Sequence, residues 1–165
     1  MIHHVSIPAR DPGHVAAVLS ELAGWKARPF LGPVQGAIMM LAEDGQGTAI
    51  ELYPDGTVIS PSDGISQCGF DRKEAPNAFP FHLLLSLDVD PDEVERIGAR
   101  EGWRTLRCWR GPPGHPVFEL IEFWVENRVM IEIATPPMLP DYLKVATAEA
   151  HDAFLAGMRG GAPAH

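Results

Sequence analysis

Cysteine, basic residues and long apolar runs are all scarce in this chain of 165 residues. Its two cysteines, Cys68 and Cys108, are too few for a disulfide framework or for a zinc site built from thiolates. The 13 Lys and Arg residues against 22 Asp and Glu give a formal net charge of −9, which argues against nucleic acid or an anionic membrane as a partner. No apolar run is long enough to span a bilayer, and no segment has the pattern of a secretion signal. We therefore expect a reduced, cytoplasmic protein.

Proline and glycine are plentiful, with 16 residues of each, and they punctuate the chain. They are densest between Pro54 and Pro80, where few apolar residues occur, and this is typical of a loop or linker. The composition divides the chain into a first unit (1–53), a linker loop (54–79), a second unit (80–135), and a C-terminal helix and tail (136–165). That helix is predicted over Asp141–Met158. We expect it to dock on the body or on a second subunit, because an isolated helix of this length is marginal in water.

The first unit is repeated in the second. Three features recur in the same order at offsets of 78 or 79 residues: His4 as His82, Asp11-Pro12 as Asp90-Pro91, and Gly24-Trp25 as Gly102-Trp103. A fourth feature, Ile50-Glu51, recurs as Ile131-Glu132 at an offset of 81. Such a shared order is hard to obtain by chance, so we expect the two units to have the same fold.

Each unit predicts a strand, a helix and three further strands. The first strand is expected at Ile2–Pro8 and its counterpart at Phe81–Asp88. In both units an aspartate can cap the helix, a proline fits its first position, and a glycine ends it. The other strands are expected near residues 26–29, 36–42 and 47–53, and near residues 104–110, 116–125 and 128–134. The sequence therefore predicts an α+β fold of two paired βαβββ modules, followed by the C-terminal helix.

Strand alternation separates four polar side chains from the apolar ones. Successive side chains of a strand point to opposite faces, so the apolar faces are expected to pack on the helices. The other faces then carry His4, Glu51, His82 and Glu132, which meet if the two units pair into one curved sheet. Carboxylates are almost never fully buried unless they are paired with or bound to a cation. A set of nitrogen and oxygen ligands without thiolate suits Ni²⁺, Zn²⁺, Co²⁺, Mn²⁺ or Fe²⁺. We predict one divalent metal ion on these four side chains, with positions open to water or substrate.

With this repeat and these four side chains, residues 1–135 resemble the vicinal oxygen chelate superfamily, which includes glyoxalase I, bleomycin-resistance proteins, fosfomycin-resistance enzymes and extradiol dioxygenases. The resemblance implies a cup around a divalent metal, with ligands from the first and fourth strands of each module. These positions match His4, Glu51, His82 and Glu132. Glutamate at the second ligand position, here Glu51, is the glyoxalase I pattern. One glutamate is implied to be both ligand and catalytic base, with Glu132 preferred and Glu51 the competitor. A homodimer is expected, and its cup can form within one chain or between two.

The resemblance implies a metal-dependent lyase or isomerase of the glyoxalase type, whose small-molecule substrate chelates the metal through adjacent oxygens. Pro8 and Asp55 stand where glutathione-dependent members tend to carry Arg and Asn, and an acidic group there repels a glutathione carboxylate. Two alternatives remain open. One is an epimerase or dioxygenase of the same superfamily, and the other is a binding protein of the bleomycin-resistance type that sequesters a ligand without turnover.

Overall fold

The structure, a computed structural model, describes residues 2–30, 34–60, 68–75, 81–111, 115–147, 149, 150, 153 and 156. The first unit consists of β1 (His4–Ala9), α1 (Pro12–Ala23), β2 (Lys26–Pro29), β3 (Ile38–Leu41) and β4 (Ala49–Pro54). Two short strands follow, β5 (Thr57–Ser60) and β6 (Gly69–Arg72). The second unit consists of β7 (His82–Ser86), α2 (Pro91–Glu101), β8 (Thr105–Arg110), β9 (Phe118–Val125) and β10 (Val129–Ala134), with α3 (Leu139–Val145) after it. The predicted order of elements is confirmed in both units.

The start and end signals of the two repeated helices act as predicted. Asp11 and Asp90 each accept a hydrogen bond from a backbone amide in the first turn, at 3.0 and 2.8 Å, which satisfies one of the unpaired amides there. Gly24 and Gly102 end the helices with φ of 70° and 66°, a left-handed conformation that glycine adopts without steric cost. The repeat in the sequence is therefore a repeat of local structure.

Each unit forms its own four-stranded sheet, with the strand order β1-β4-β3-β2 in the first and β7-β10-β9-β8 in the second. The first strand of each unit runs parallel to the fourth, and the other neighbours are antiparallel. Within the described residues no backbone ladder joins β1 to β7. The two modules instead meet through α1, α2 and one shared hydrophobic core. The predicted α+β fold of two βαβββ modules is therefore confirmed. The modules form two separate sheets and not the single curved sheet that was expected.

The apolar faces of both sheets enter this core, as strand alternation predicts. Ile7 on β1 and Leu52 on β4 are at most 1% exposed, and so are Ile131 and Ile133 on β10. All four belong to the same buried cluster as Val15 of α1 and apolar side chains of α2. The alternate faces are left for polar side chains.

The segment predicted as a linker loop at 54–79 contains two strands that the sequence did not indicate. β5 and β6 pair antiparallel, and the amide of Lys73 donates a 2.8 Å hydrogen bond to the carbonyl of Gly56 at the open end of the pair. The ring of Phe70 on β6 lies 5.9 Å from that of Tyr53 on β4. The strand pair is therefore attached to the first sheet.

The C-terminal helix predicted over Asp141–Met158 begins earlier and is described only in part. α3 ends at Val145, and residues 149, 150, 153 and 156 are also helical, while the rest of the predicted span lies outside the described residues. Tyr142 of α3 contacts Phe118 of β9 with ring centroids 5.4 Å apart, so this helix docks on the second sheet. Among the described residues no helix is long and apolar enough to cross a membrane.

Candidate functional site

Glu51 lies in the middle of β4, on the face turned away from the core, and is only 8% exposed. Parallel pairing sets it beside Ser6 of β1, whose hydroxyl donates a 2.7 Å hydrogen bond to Glu51 Oε2. The Tyr53 hydroxyl donates a 3.1 Å bond to the same oxygen. The other oxygen, Oε1, lies 3.9 Å from Nε2 of His4. The first module thus brings its two predicted ligands close together.

Tyr53 is held as a permanent donor. Burial first, and then its hydrogen bond to the Glu51 carboxylate, raise the pKa of Tyr53 to about 12, so the phenol stays protonated at neutral pH. The ring also contacts Phe30 edge-on at 5.8 Å and Phe70 at 5.9 Å. These contacts restrict the ring, and with it the hydroxyl that reaches Glu51.

Glu132 occupies the equivalent place on β10, but its surroundings differ. Its parallel neighbour on β7 is Leu84, which has no hydroxyl. The guanidinium of Arg110 lies between two carboxylates, with Nη2 2.7 Å from Glu132 Oε1 and 2.8 Å from Glu122 Oε1. We call Arg110, Glu122 and Glu132 the arginine cluster. In the second module the predicted ligand therefore already has a cationic partner.

Two titratable groups in this region, Glu122 and Cys108, have shifted pKa values. Burial alone raises the pKa of Glu122, but hydrogen bonds from Trp124 Nε1, at 3.0 Å, and from Arg110 outweigh it and keep the pKa below its usual value. Burial raises the pKa of the Cys108 thiol, which lies 3.4 Å from Arg110 Nη1. Since the thiolate is the reactive and metal-binding form, Cys108 is poorly suited to either role.

His82 reaches the same cleft as His4. This cleft has a volume of about 410 Å³ and is lined by both histidines, by His3 and Phe81, and by apolar side chains of β1, β4 and β7. Neither Glu51 nor Glu132 is among the described residues that line it. The structure therefore places both histidines on one cleft and sets His4 close to Glu51, but it does not bring all four predicted ligands together.

The described residues contain no group of three His, Cys, Asp or Glu side chains arranged to hold a metal ion. The pair formed by His4 and Glu51 does fit one, because its 3.9 Å separation is within the combined reach of two metal–ligand bonds of about 2.0–2.2 Å. Glu132 does not fit in the observed arrangement, since Arg110 holds its Oε1. A single chain thus has one half of the predicted ligand set in place.

Three residues of this region were missed at the level of sequence. Ser6 and Tyr53 were recoverable, because each stands two positions after a predicted ligand and so shares its strand face. Arg110 does not stand two positions from a predicted ligand on the same strand, so its sequence position does not indicate a role. Its approach to Glu132 depends on the register of β8 on β9 and of β9 on β10, which is non-local information.

No family model and no curated protein matches this sequence, but solved structures do. One is the fosfomycin resistance protein FosX from Listeria monocytogenes, complexed with Mn(II) and 1S,2S-dihydroxypropylphosphonic acid; it is 13% identical, with TM-score 0.52, over 87% of this chain and 96% of that one. The glyoxylase/bleomycin resistance protein/dioxygenase domain from Frankia sp. EAN1pec is 15% identical, with TM-score 0.51, over 81% and 94%. Lactoylglutathione lyase from Agrobacterium tumefaciens is 13% identical, with TM-score 0.50, over 82% and 93%.

Identities this low carry information about the fold and not about the activity. The matches to the Frankia domain and to FosX cover 81% and 87% of this chain and 94% and 96% of the other chains. The two βαβββ modules, with a parallel strand pair in each, agree with the resemblance found in the sequence. The chain therefore has the fold of the vicinal oxygen chelate superfamily.

Proposed function

We propose that the chain is a metal-dependent enzyme of the glyoxalase type, a lyase or isomerase whose small substrate binds through adjacent oxygens. The surroundings of Glu51 carry this proposal. Its carboxylate is 8% exposed, accepts hydrogen bonds only from neutral hydroxyls among those described, and points its other oxygen at an imidazole. A carboxylate this buried is stabilised by a cation, and a divalent ion next to His4 supplies one. The Mn(II) bound by the similar FosX structure supports a divalent ion in this fold.

We propose further that a second copy of the chain completes the site. β1 and β7 are edge strands of their sheets, and unpaired edges are favourable places for another strand to add. Pairing β1 of one copy with β7 of the other sets His4 and Glu51 near His82 and Glu132 of the second copy. Sedimentation at micromolar concentration is expected to give a dimer, and a monomer there contradicts this arrangement.

Each residue then has a distinct task. His4 and Glu51 of one copy and His82 of the other would hold the ion, and the ion would polarise the adjacent oxygens of the substrate. Glu51 stays in place as a ligand, because two hydroxyls hold its Oε2. Glu132 is the base that accepts the substrate proton, with Arg110 holding its carboxylate in position.

Metal analysis of the purified protein tests the proposal. We expect about one divalent ion per site and its loss in His4→Ala and His82→Ala, while His115→Ala, a change at an exposed histidine, retains it. Turnover is then sought among thiol adducts of 2-oxoaldehydes and among 2-hydroxy and 2-keto acids. Unchanged metal content in both ligand variants contradicts the proposal.

A second candidate function is sequestration of a small molecule without turnover. The arginine cluster favours it, because Glu132 already has a cationic partner, and so does the mainly apolar lining of the 410 Å³ cleft. This alternative predicts that protein treated with a chelator binds an apolar probe as tightly as untreated protein does. Loss of probe binding on chelation supports the metal-dependent enzyme instead.

A further inference from the structure

Two hydroxyls converge on one oxygen of Glu51. Ser6 Oγ and Tyr53 OH both donate to Oε2, with hydrogen bonds of 2.7 and 3.1 Å. The arrangement comes from the strand register, since Ser6 is paired with Glu51 across β1 and β4 while Tyr53 stands two positions further along β4 on the same face. Because one carboxylate oxygen is occupied, the other is left pointing towards His4 Nε2.

The second module lacks this arrangement, although its backbone is equivalent. Leu84 stands where the first module has Ser6, as the partner of Glu132 in the parallel register. Ala134 stands where the first module has Tyr53, two positions after the glutamate. Neither side chain can donate a hydrogen bond, and Glu132 is held by Arg110 instead. The fold alone therefore does not require hydroxyls at these two positions.

Packing also fails to explain the serine. Ser6 lies on the polar face of an edge strand and is only partly buried, and its side chain is absent from the hydrophobic core. A buried carboxylate gains from donors to either of its oxygens, yet both donors here select the same one. The feature that these residues control is the orientation of Glu51.

We propose that Ser6 and Tyr53 are positioning residues that hold Oε2 of Glu51, so that Oε1 alone is presented, next to His4, to a bound divalent ion. This inference rests on the proposed function, in which Glu51 is a permanent ligand. Partners that orient a ligand in this way typically contribute about 10- to 100-fold to metal affinity. Ser6 and Tyr53 thereby separate the role of Glu51 from that of Glu132.

Calorimetric titration of the metal-free protein with Mn²⁺ tests the inference without any substrate. The double variant Ser6→Ala/Tyr53→Phe is expected to bind Mn²⁺ roughly 10- to 100-fold more weakly than the wild type. Ser6→Ala alone removes one oxygen atom on an edge strand and is expected to lose a part of that affinity, at least about threefold. Ser6→Thr keeps the hydroxyl and is expected to restore binding to the wild-type level.

The matched control is Ser86→Ala/Tyr142→Phe, which removes the same two groups away from Glu51 and is expected to leave Mn²⁺ affinity unchanged. Melting temperatures of the metal-free variants verify that they are folded. If Ser6→Ala and the double variant both bind Mn²⁺ as tightly as the wild type does, the inference is overturned and the proposed function stands. A wild-type protein that binds neither Mn²⁺, Zn²⁺ nor Ni²⁺ overturns both.

Discussion

The two glutamates that occupy equivalent positions in the repeat are held by different chemistry. Glu51 accepts hydrogen bonds from neutral hydroxyls, whereas Glu132 shares a guanidinium with Glu122. A neutral donor leaves the negative charge of a carboxylate in place, and an arginine compensates it. Equal substitutions at the two positions should therefore have unequal effects.

Glu51→Gln is expected to weaken Mn²⁺ binding by roughly tenfold or more, because a neutral amide replaces an anionic ligand. Glu132→Gln is expected to keep most of the metal affinity and to lower turnover on an identified substrate by about 10²-fold, as loss of a general base does. Titration calorimetry and steady-state kinetics measure the two effects, with Glu149→Gln, at an exposed position, as the control. If Glu132→Gln keeps full turnover while Glu51→Gln does not, the two roles are exchanged.

At the scale of elements, the parts that the sequence predicted are those encoded locally. The caps at Asp11 and Asp90, the glycine stops, and the alternation that turns Glu51 away from the core each depend on a few neighbouring residues. β5 and β6 were missed because they lie in the stretch where proline and glycine are densest, which is typical of a loop. The pairing of Arg110 with Glu132 was missed because it needs three strands in register. Local sequence patterns therefore predict the helices and strands, whereas the contacts around Glu132 depend on residues that are distant in sequence.

Gly98 reveals how closely α2 approaches β8. A methyl group added there overlaps the Thr105 hydroxyl oxygen and lies 3.0 Å from Thr105 Cβ. Although alanine favours a helix by up to about 1 kcal/mol over glycine, overpacking costs roughly 1–3 kcal/mol. We expect Gly98→Ala to lower the free energy of unfolding, as measured by urea denaturation.

A partial recovery of stability in Gly98→Ala/Thr105→Ala, which removes the overlapping hydroxyl, identifies the close contact as the cause. Gly45→Ala is not a suitable control, because Gly45 has φ of 72° and is strained by any side chain. Ala99→Gly, on the same helix and exposed, measures helix propensity alone. A Gly98→Ala protein more stable than the wild type contradicts the prediction.

At the scale of the whole molecule, polar contacts join the two modules at two places. Arg100 of α2 makes two hydrogen bonds of 2.7 Å with Glu21 of α1. Arg128 beside β10 binds Asp55 after β4 with bonds of 2.9 and 3.0 Å, and the neighbouring Glu126 accepts from two backbone amides before α1. The acidic Asp55, which argued against glutathione in the sequence, thus has a structural partner in the other module.

Asp55→Ala is expected to lower the free energy of unfolding by roughly 3 kcal/mol, at the low end for breaking a buried ion pair. The reason is that the Arg128 side chain is only 4% exposed, while that of Asp55 is 22% exposed. Urea denaturation measures the loss, and Asp88→Ala, at an exposed aspartate, is the control. An effect no larger than that of the control shows that this pair does not hold the modules together.

The contact between the helices predicts a dependence on pH. The hydrogen bond from Arg100, supported by Arg96, keeps the pKa of Glu21 below its ordinary 4.5. The ionised form is thus favoured by folding, so its stabilisation is present above pH 4.5 and is lost as the pH falls through the lowered pKa. The difference in melting temperature between wild type and Glu21→Gln is expected to shrink as the pH falls from 7 into this range. A difference that stays constant with pH refutes the assignment.

The core shared by the two modules has a consequence for cooperativity. Side chains of α1 and α2 belong to one buried cluster, and the ring of His14 on α1 meets Trp103, just after α2, at 6.0 Å. Neither repeat can therefore lose its structure without exposing apolar surface of the other. Scanning calorimetry should record one transition with equal calorimetric and van't Hoff enthalpies. Although the chain is a tandem repeat in its sequence, cutting it within residues 61–67 should yield two fragments that fold only in each other's presence.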